Sequence, residues 1–160
     1  MATSTALEID PLALERQVCF ALAVTNRAVL AIYRPLLEPL GLTHPQYLVM
    51  LALWDHDKTT GAGPALSVKQ IAASLQLDSA TLSPMLKRLQ AIGLITRTRS
   101  SADERSTDVE LTEAGKALRQ RALDIPPAVV ARLGVDIAEL EHLREVLTRV
   151  NTAALAADQA

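Results

Sequence analysis

At 160 residues, 49% of them hydrophobic, and with a formal net charge of −2, the chain has apolar material for one core. Aromatic residues make up only 2%, which weighs against binding single-stranded nucleic acid by base stacking. The single cysteine, Cys19, excludes an intrachain disulfide and fits a reducing cytoplasm. The start, MATSTALEIDP, lacks a basic region followed by an apolar run, so no signal peptide is expected. No stretch of eighteen apolar residues marks a membrane span. His44, His56 and His142 are scattered, no His/Cys cluster has metal-ligand spacing, and no nucleophile elbow, phosphate loop or dinucleotide fingerprint occurs. Neither a metal, a cofactor nor a catalytic residue is expected.

Residues 1–9 read as a frayed arm. Asp10-Pro11 supplies an N-cap followed by proline at the first helical position, and the pattern predicts a helix from there to Arg34, stopping before Pro35. Its apolar residues, Leu12, Val18, Phe20, Leu22, Val29 and Ile32 among them, wrap most of the circumference, as in a helix buried on several sides. Thr43 opens the next helix, with Pro45 in its first turn and a nearly continuous apolar run from Tyr47 to Trp54. Residues 55–65, with Gly61, Gly63 and Pro64, read as a mobile loop.

Ser67 and Gln70 form a capping box ahead of Ile71, Ala72 and Leu75. Leu77 and Asp78 make a turn, and Asp78 caps a helix running to about Gln90. Leu82, Met85, Leu86 and Leu89 supply its buried face; Ser79, Thr81, Ser83, Lys87 and Arg88 supply its polar face. Pro84 predicts a slight bend, and Gly93 a C-terminal stop. Leu94–Thr98 and Thr107–Leu111 alternate as half-buried strands, with a charged loop of eight residues between them. Thr112 caps another helix, interrupted near Asp124-Ile125-Pro126-Pro127, and a last helix runs from about Asp136 to Ala157.

The order from residue 66 to 111 is helix, turn, helix, strand, wing, strand, which is a winged helix-turn-helix. Between Ser79 and Thr107 five cations (Lys87, Arg88, Arg97, Arg99, Arg105) face two anions (Asp103, Glu104), a local charge of +3 on a chain of −2. A basic patch on an acidic chain is an electrostatic footprint for phosphate, and in this context it points to duplex DNA. The expected fold is mainly α with a small β wing, one domain over residues 1–160. Dimerisation helices over 10–35 and 112–157 flank the DNA module at 66–111. Two recognition helices about 34 Å apart in a homodimer would read a pseudo-palindromic operator.

This arrangement resembles the MarR family of dimeric transcription regulators over almost the whole chain. QVCFALAVTNRAVLAIYRPLLEPLGLTHPQYLVMLALW and LDSATLSPMLKRLQAIGLITRTRSSADERS are similar to the organic-hydroperoxide-sensing, OhrR-like branch, in its single-cysteine type. The resemblance implies that Cys19 is the peroxide-sensing thiol and that its oxidation makes the repressor release its operator. It also implies organic hydroperoxides and small thiols as effectors. Tyr33 matches a tyrosine that reaches the cysteine from the partner subunit; His44 and Ala23 stand where the branch commonly has tyrosines. Asp103 and Arg105 match the D-x-R-S wing, in which the arginine enters the minor groove and the aspartate braces it. The glycines at 61 and 63 are inserted relative to the branch.

The residues agree in part. Only a thiolate attacks a peroxide oxygen. On the predicted boundaries Cys19 lies too deep in its helix to gain much from the N-terminal dipole. Cys19 and Tyr33 are fourteen residues apart on that helix, about 21 Å, so they meet only if two copies cross antiparallel. Three other readings stay open: a MarR-type regulator of a small aromatic ligand with Cys19 incidental, a thiol peroxidase (although no resolving cysteine exists), and a winged helix that binds only protein.

Overall fold

The computed structural model describes residues 10–61 and 63–159; the expected arm over residues 1–9 lies outside them. Helix α1 spans Val18–Leu37, later at both ends than its sequence signals predict. Asp10 accepts the Leu12 N–H at 2.9 Å in an Asx turn instead of capping a helix. A short 3-10 turn follows at Leu14–Arg16, and the Gln17 side chain donates back to the Pro11 carbonyl at 2.7 Å. Those local bonds hold the chain in turns until Val18. At the other end Pro35 lies inside the helix. It forfeits one N–H in the last turn, and burial of Leu37 at 1% exposure favours continuing.

Helix α2 spans His44–Thr60, opened by a full capping box between Thr43 and Gln46. It runs six residues into the stretch read as a loop. Asp55, Lys58, Thr59 and Thr60 are exposed, His56 and Asp57 half-buried, and Thr60 Oγ1 donates to the His56 carbonyl at 2.8 Å. Gly61, at φ +60°, ends the helix. The connection shrinks to residues 61–65, tied by His56 Nε2 to the Pro64 carbonyl at 2.8 Å.

Strand β1 (Leu66–Ser67) leads into α3 (Val68–Leu75), which opens on the Ser67/Gln70 capping box. Asp78 caps α4 (Ser79–Ala91), which runs through Pro84. Gly93, at φ +81°, turns the chain into β2 (Ile95–Arg99), which pairs antiparallel with β3 (Thr107–Leu111). Leu66 pairs with Val109, so the sheet order is β1-β3-β2. Helices α5 (Glu113–Ala122) and α6 (Ile125–Leu133) follow, broken at Leu123–Asp124 as the sequence predicts, and α7 (Ile137–Asp158) closes the chain.

The core gathers Val49, Met50 and Leu53 of α2, Ile71 of α3, Leu82, Leu86 and Leu89 of α4, and Ile95 and Val109 of the sheet. Trp54 Nε1 donates to the Gly115 carbonyl at 2.9 Å and fastens α2 to α5. The terminal helices join this core unequally: Leu37, the one buried residue of α1, enters it, with Ile32, Tyr33 and Leu36 packed against it, while α7 contributes no buried residue. Val18 and Ile137 are 66% and 61% exposed, and Phe20, Leu22, Leu143, Leu147 and Val150 are exposed as well.

By length and composition the stretch Val18–Leu40 passes the test for a membrane-crossing helix, with a mean hydropathy of 1.2. This qualifies the sequence expectation of no such segment. Arg27 and Arg34 lie within it, and each would cost about 2.5–3.5 kcal/mol near a bilayer centre. Packing against another protein surface covers the same apolar face without that cost.

Candidate functional site

Cys19 is the second residue of α1, in its first turn, and its side chain is free and exposed. The sequence placed it deep in a longer helix. The later start at Val18 puts it where backbone N–H groups have no intrahelical partner. The Gln17 side chain points back along the chain and caps none of them. Anionic groups are stabilised at such a helix end by about 0.3–1 kcal/mol.

Tyr33 lies fourteen residues farther along α1, half-buried, and the structure brings it together with His44 and not with Cys19. The Tyr33 and His44 ring centroids are 4.9 Å apart, edge to face, with an interplanar angle of 68°. Tyr47 completes the cluster, 6.0 Å from Tyr33 and 6.3 Å from His44. Its ring is nearly fully buried, and in the sequence it reads as one more core residue, with no signal separating it from its apolar neighbours. Burial pushes both phenols above their ordinary value, Tyr47 also feeling the charge of Tyr33, so both keep an O–H donor at neutral pH. Burial pushes His44 below its ordinary value. The imidazole is therefore neutral near pH 7 and stays so farther into acid than an exposed histidine.

Next to this cluster a cavity of about 770 Å³ separates the end of α1, the start of α2 and the end of α4. Leu30, Leu37, Leu42 and Ile92 give it apolar walls; Arg34, Glu38, His44 and Arg88 give it polar ones. Arg88 thus stands on a flank of α4 that looks toward the helical body.

The remaining candidates lie along the outer side of α4 and the wing. Ser79, Thr81 and Lys87 are exposed and Ser83 is half-buried. Asp78 accepts the Thr81 N–H at 2.6 Å, and that bond holds its carboxyl below the ordinary value. Arg97 of β2 donates from Nε to Gln90 Oε1 of α4 at 2.7 Å, a bond that ties the helix to the wing. Gln90 carried no signal in the sequence for this role. Arg99 is exposed at the end of β2. At the wing tip Asp103 accepts the backbone N–H of Arg105 at 3.0 Å, and its carbonyl accepts that of Ser106 at 2.9 Å. The aspartate therefore shapes the backbone that carries Arg105 and leaves the guanidinium free in solvent. Among the described residues no group of three or more His, Cys, Asp or Glu is placed to hold a metal.

Residues 31–121 match a family described as transcriptional regulator SarA/Rot. The chain is 42% identical over 140 residues to an organic hydroperoxide resistance transcriptional regulator of Bacillus subtilis, covering 88% of this chain and 90% of that one. It is 40% identical over 138 residues to the HTH-type transcriptional regulator TtmR of Methylorubrum extorquens, covering 86% and 67%. Among solved structures, reduced AbfR bound to DNA superposes with a TM-score of 0.73 at 29% identity, over 89% of this chain and 93% of that one.

Proposed function

The chain belongs to the SarA/Rot and organic-hydroperoxide-resistance group of MarR-type winged-helix transcriptional regulators, and from that premise we propose that it is a repressor switched by oxidation of Cys19. It is a regulator, not an enzyme. The observation that carries the reading is the place of its one cysteine. Cys19 sits exposed in the first turn of a helix whose apolar face the described residues of its own chain leave largely uncovered.

A second copy, packed antiparallel on α1 and held by α7, covers that face. It brings Tyr33 of the partner subunit beside Cys19. The thiolate attacks one peroxide oxygen, the O–O bond breaks, and the alcohol leaves with a proton. Sulfur is oxidised to sulfenic acid as the peroxide is reduced. A small cellular thiol then condenses with the sulfenic acid, forming a mixed disulfide and water. Strain in the subunit contact moves the two recognition helices away from a one-turn spacing on the pseudo-palindrome. Ser79, Thr81, Ser83 and Lys87 face the major groove in this reading. Arg97, Arg99 and Arg105 meet phosphate and minor groove, and Arg88 takes part from the flank. The protein works in the cytoplasm.

The cavity beside Arg34 and Arg88 favours one other reading, a regulator of a small aromatic ligand in which Cys19 is incidental. An operator gel shift with and without cumene hydroperoxide separates the two. The proposal expects release of the wild type and retention of Cys19→Ser. Equal release of both proteins would move the switch to the cavity.

A further inference from the structure

His44 is the first residue of α2, at the positive end of the helix dipole. Its ring bridges two elements, lying edge-on to Tyr33 of α1 and tilted against Tyr47 of α2. Its other side lines the cavity, whose charged walls are Arg34 of α1, Glu38 just beyond it, and Arg88 of α4. The titratable and charged groups around it are therefore two tyrosines, two arginines and one glutamate. A neutral ring suits this half-buried place: it packs edge-on and tilted against two aromatic rings and carries no charge to be desolvated. An imidazolium there meets the helix dipole and the loss of water on its buried side, while the cavity has room to take it up with water.

We propose that His44 is a proton-sensitive positioning residue: as a neutral ring it holds Tyr33 against Tyr47 and fixes the direction of the Tyr33 hydroxyl, and when protonated it leaves the cluster for the cavity. The inference rests on the reading of Cys19 and Tyr33 as one intersubunit site, and it adds to that site a dependence on acidity. Peroxide sensing is fast while His44 is neutral and slows when acid displaces it. The downward shift by burial supports the sign. A histidine lowered on folding contributes its full stability above its ordinary value of 6.5, and that contribution is lost as pH falls through the folded value.

The test measures Cys19 oxidation by cumene hydroperoxide, with sulfenic acid trapped and counted by intact mass, across the acid-to-neutral range. Wild type is compared with His44→Tyr and His44→Phe. Dividing wild-type rates by His44→Tyr rates at each pH removes the titration of the thiol itself. The ratio should fall roughly tenfold as pH is lowered through the His44 titration, below its ordinary value of 6.5, a loss of the size of one hydrogen bond. His44→Phe should lack the same acid limb. A ratio that stays constant across the range would overturn the proposal, because a merely structural histidine slows every pH equally.

A second measurement needs neither peroxide nor variant. In the wild-type dimer the aromatic NMR signals of Tyr33 should shift along the His44 titration, below pH 6.5. Tyr33 signals that ignore that titration would overturn the proposal even with Cys19 confirmed as sensor. Coupled signals in a protein whose Cys19→Ser variant still released DNA would leave His44 as the positioning residue and remove the redox reading.

Discussion

Cys19 has no second thiol in its chain, so the fate of its sulfenic acid is set by what the solvent supplies. A Cys19–Cys19 bond between subunits needs Cα atoms within roughly 7 Å. An antiparallel crossing that sets each cysteine beside the partner's tyrosine does not provide that. Intact mass after peroxide and a small thiol should therefore show one adduct per chain, reversed by reductant, with more complete operator release than peroxide alone. A covalent dimer as the main oxidised species would contradict this. Tyr33→Phe keeps the ring and removes the O–H donor. It should slow Cys19 oxidation by roughly 2- to 12-fold, the range of one net hydrogen bond, and leave operator affinity of the reduced protein unchanged. An unchanged oxidation rate would take Tyr33 out of the site.

At the scale of elements, the wing and the α5 junction make separate predictions. Arg105 stands on a loop closed by Asp103 and by the Ser100 N–H bonding the Ser106 carbonyl at 2.9 Å. If each wing neutralises one phosphate equivalent, Arg105→Ala should lower the slope of log affinity on log salt by roughly 0.9 per wing. An unchanged affinity with an unchanged slope would remove the wing contact. Gly115 lies where α5 meets the start of β2, and a methyl group there would overlap the backbone carbonyl of Leu94. Since backbone cannot swing aside, Gly115→Ala should cost about 1–3 kcal/mol in urea unfolding. A loss near zero would mean that α5 shifts freely. These elements were legible in unequal measure. The caps read at Ser67, Asp78 and Thr112, and the helix starts read at Thr43 and Asp136, rest on side chains bonding N–H groups two or three residues away, so sequence carried them intact. Asp10-Pro11 carries the same signature, yet Gln17 bonds back over six residues and the helix waits until Val18. That difference moved Cys19 from mid-helix to the first turn. Strand β1 has two residues, too few for any alternation, and exists only because β3 lies beside it. Tyr47 and Gln90 take their places from neighbours distant in sequence, and nothing local announces either.

For the whole molecule, the governing fact is that α1 and α7 present apolar faces that the described residues of one chain do not bury. The winged module is complete within the subunit; the sensing site in our account is not, because Cys19 and Tyr33 lie at opposite ends of α1. The central claim is therefore that one subunit's cysteine answers to the other subunit's tyrosine, and mixed dimers test it directly. A dimer of one Cys19→Ser chain and one Tyr33→Phe chain keeps a single cysteine, which faces an intact tyrosine across the interface. A dimer of one wild-type chain and one carrying both substitutions also keeps a single cysteine, which faces phenylalanine. Operator-bound dimers of each kind are treated with cumene hydroperoxide, and the oxidation rate of the remaining Cys19 is followed together with DNA release. The account predicts the wild-type rate in the first dimer and the slowed Tyr33→Phe rate in the second. The reverse order would place tyrosine and cysteine in the same chain, and equal rates would remove Tyr33 from the site.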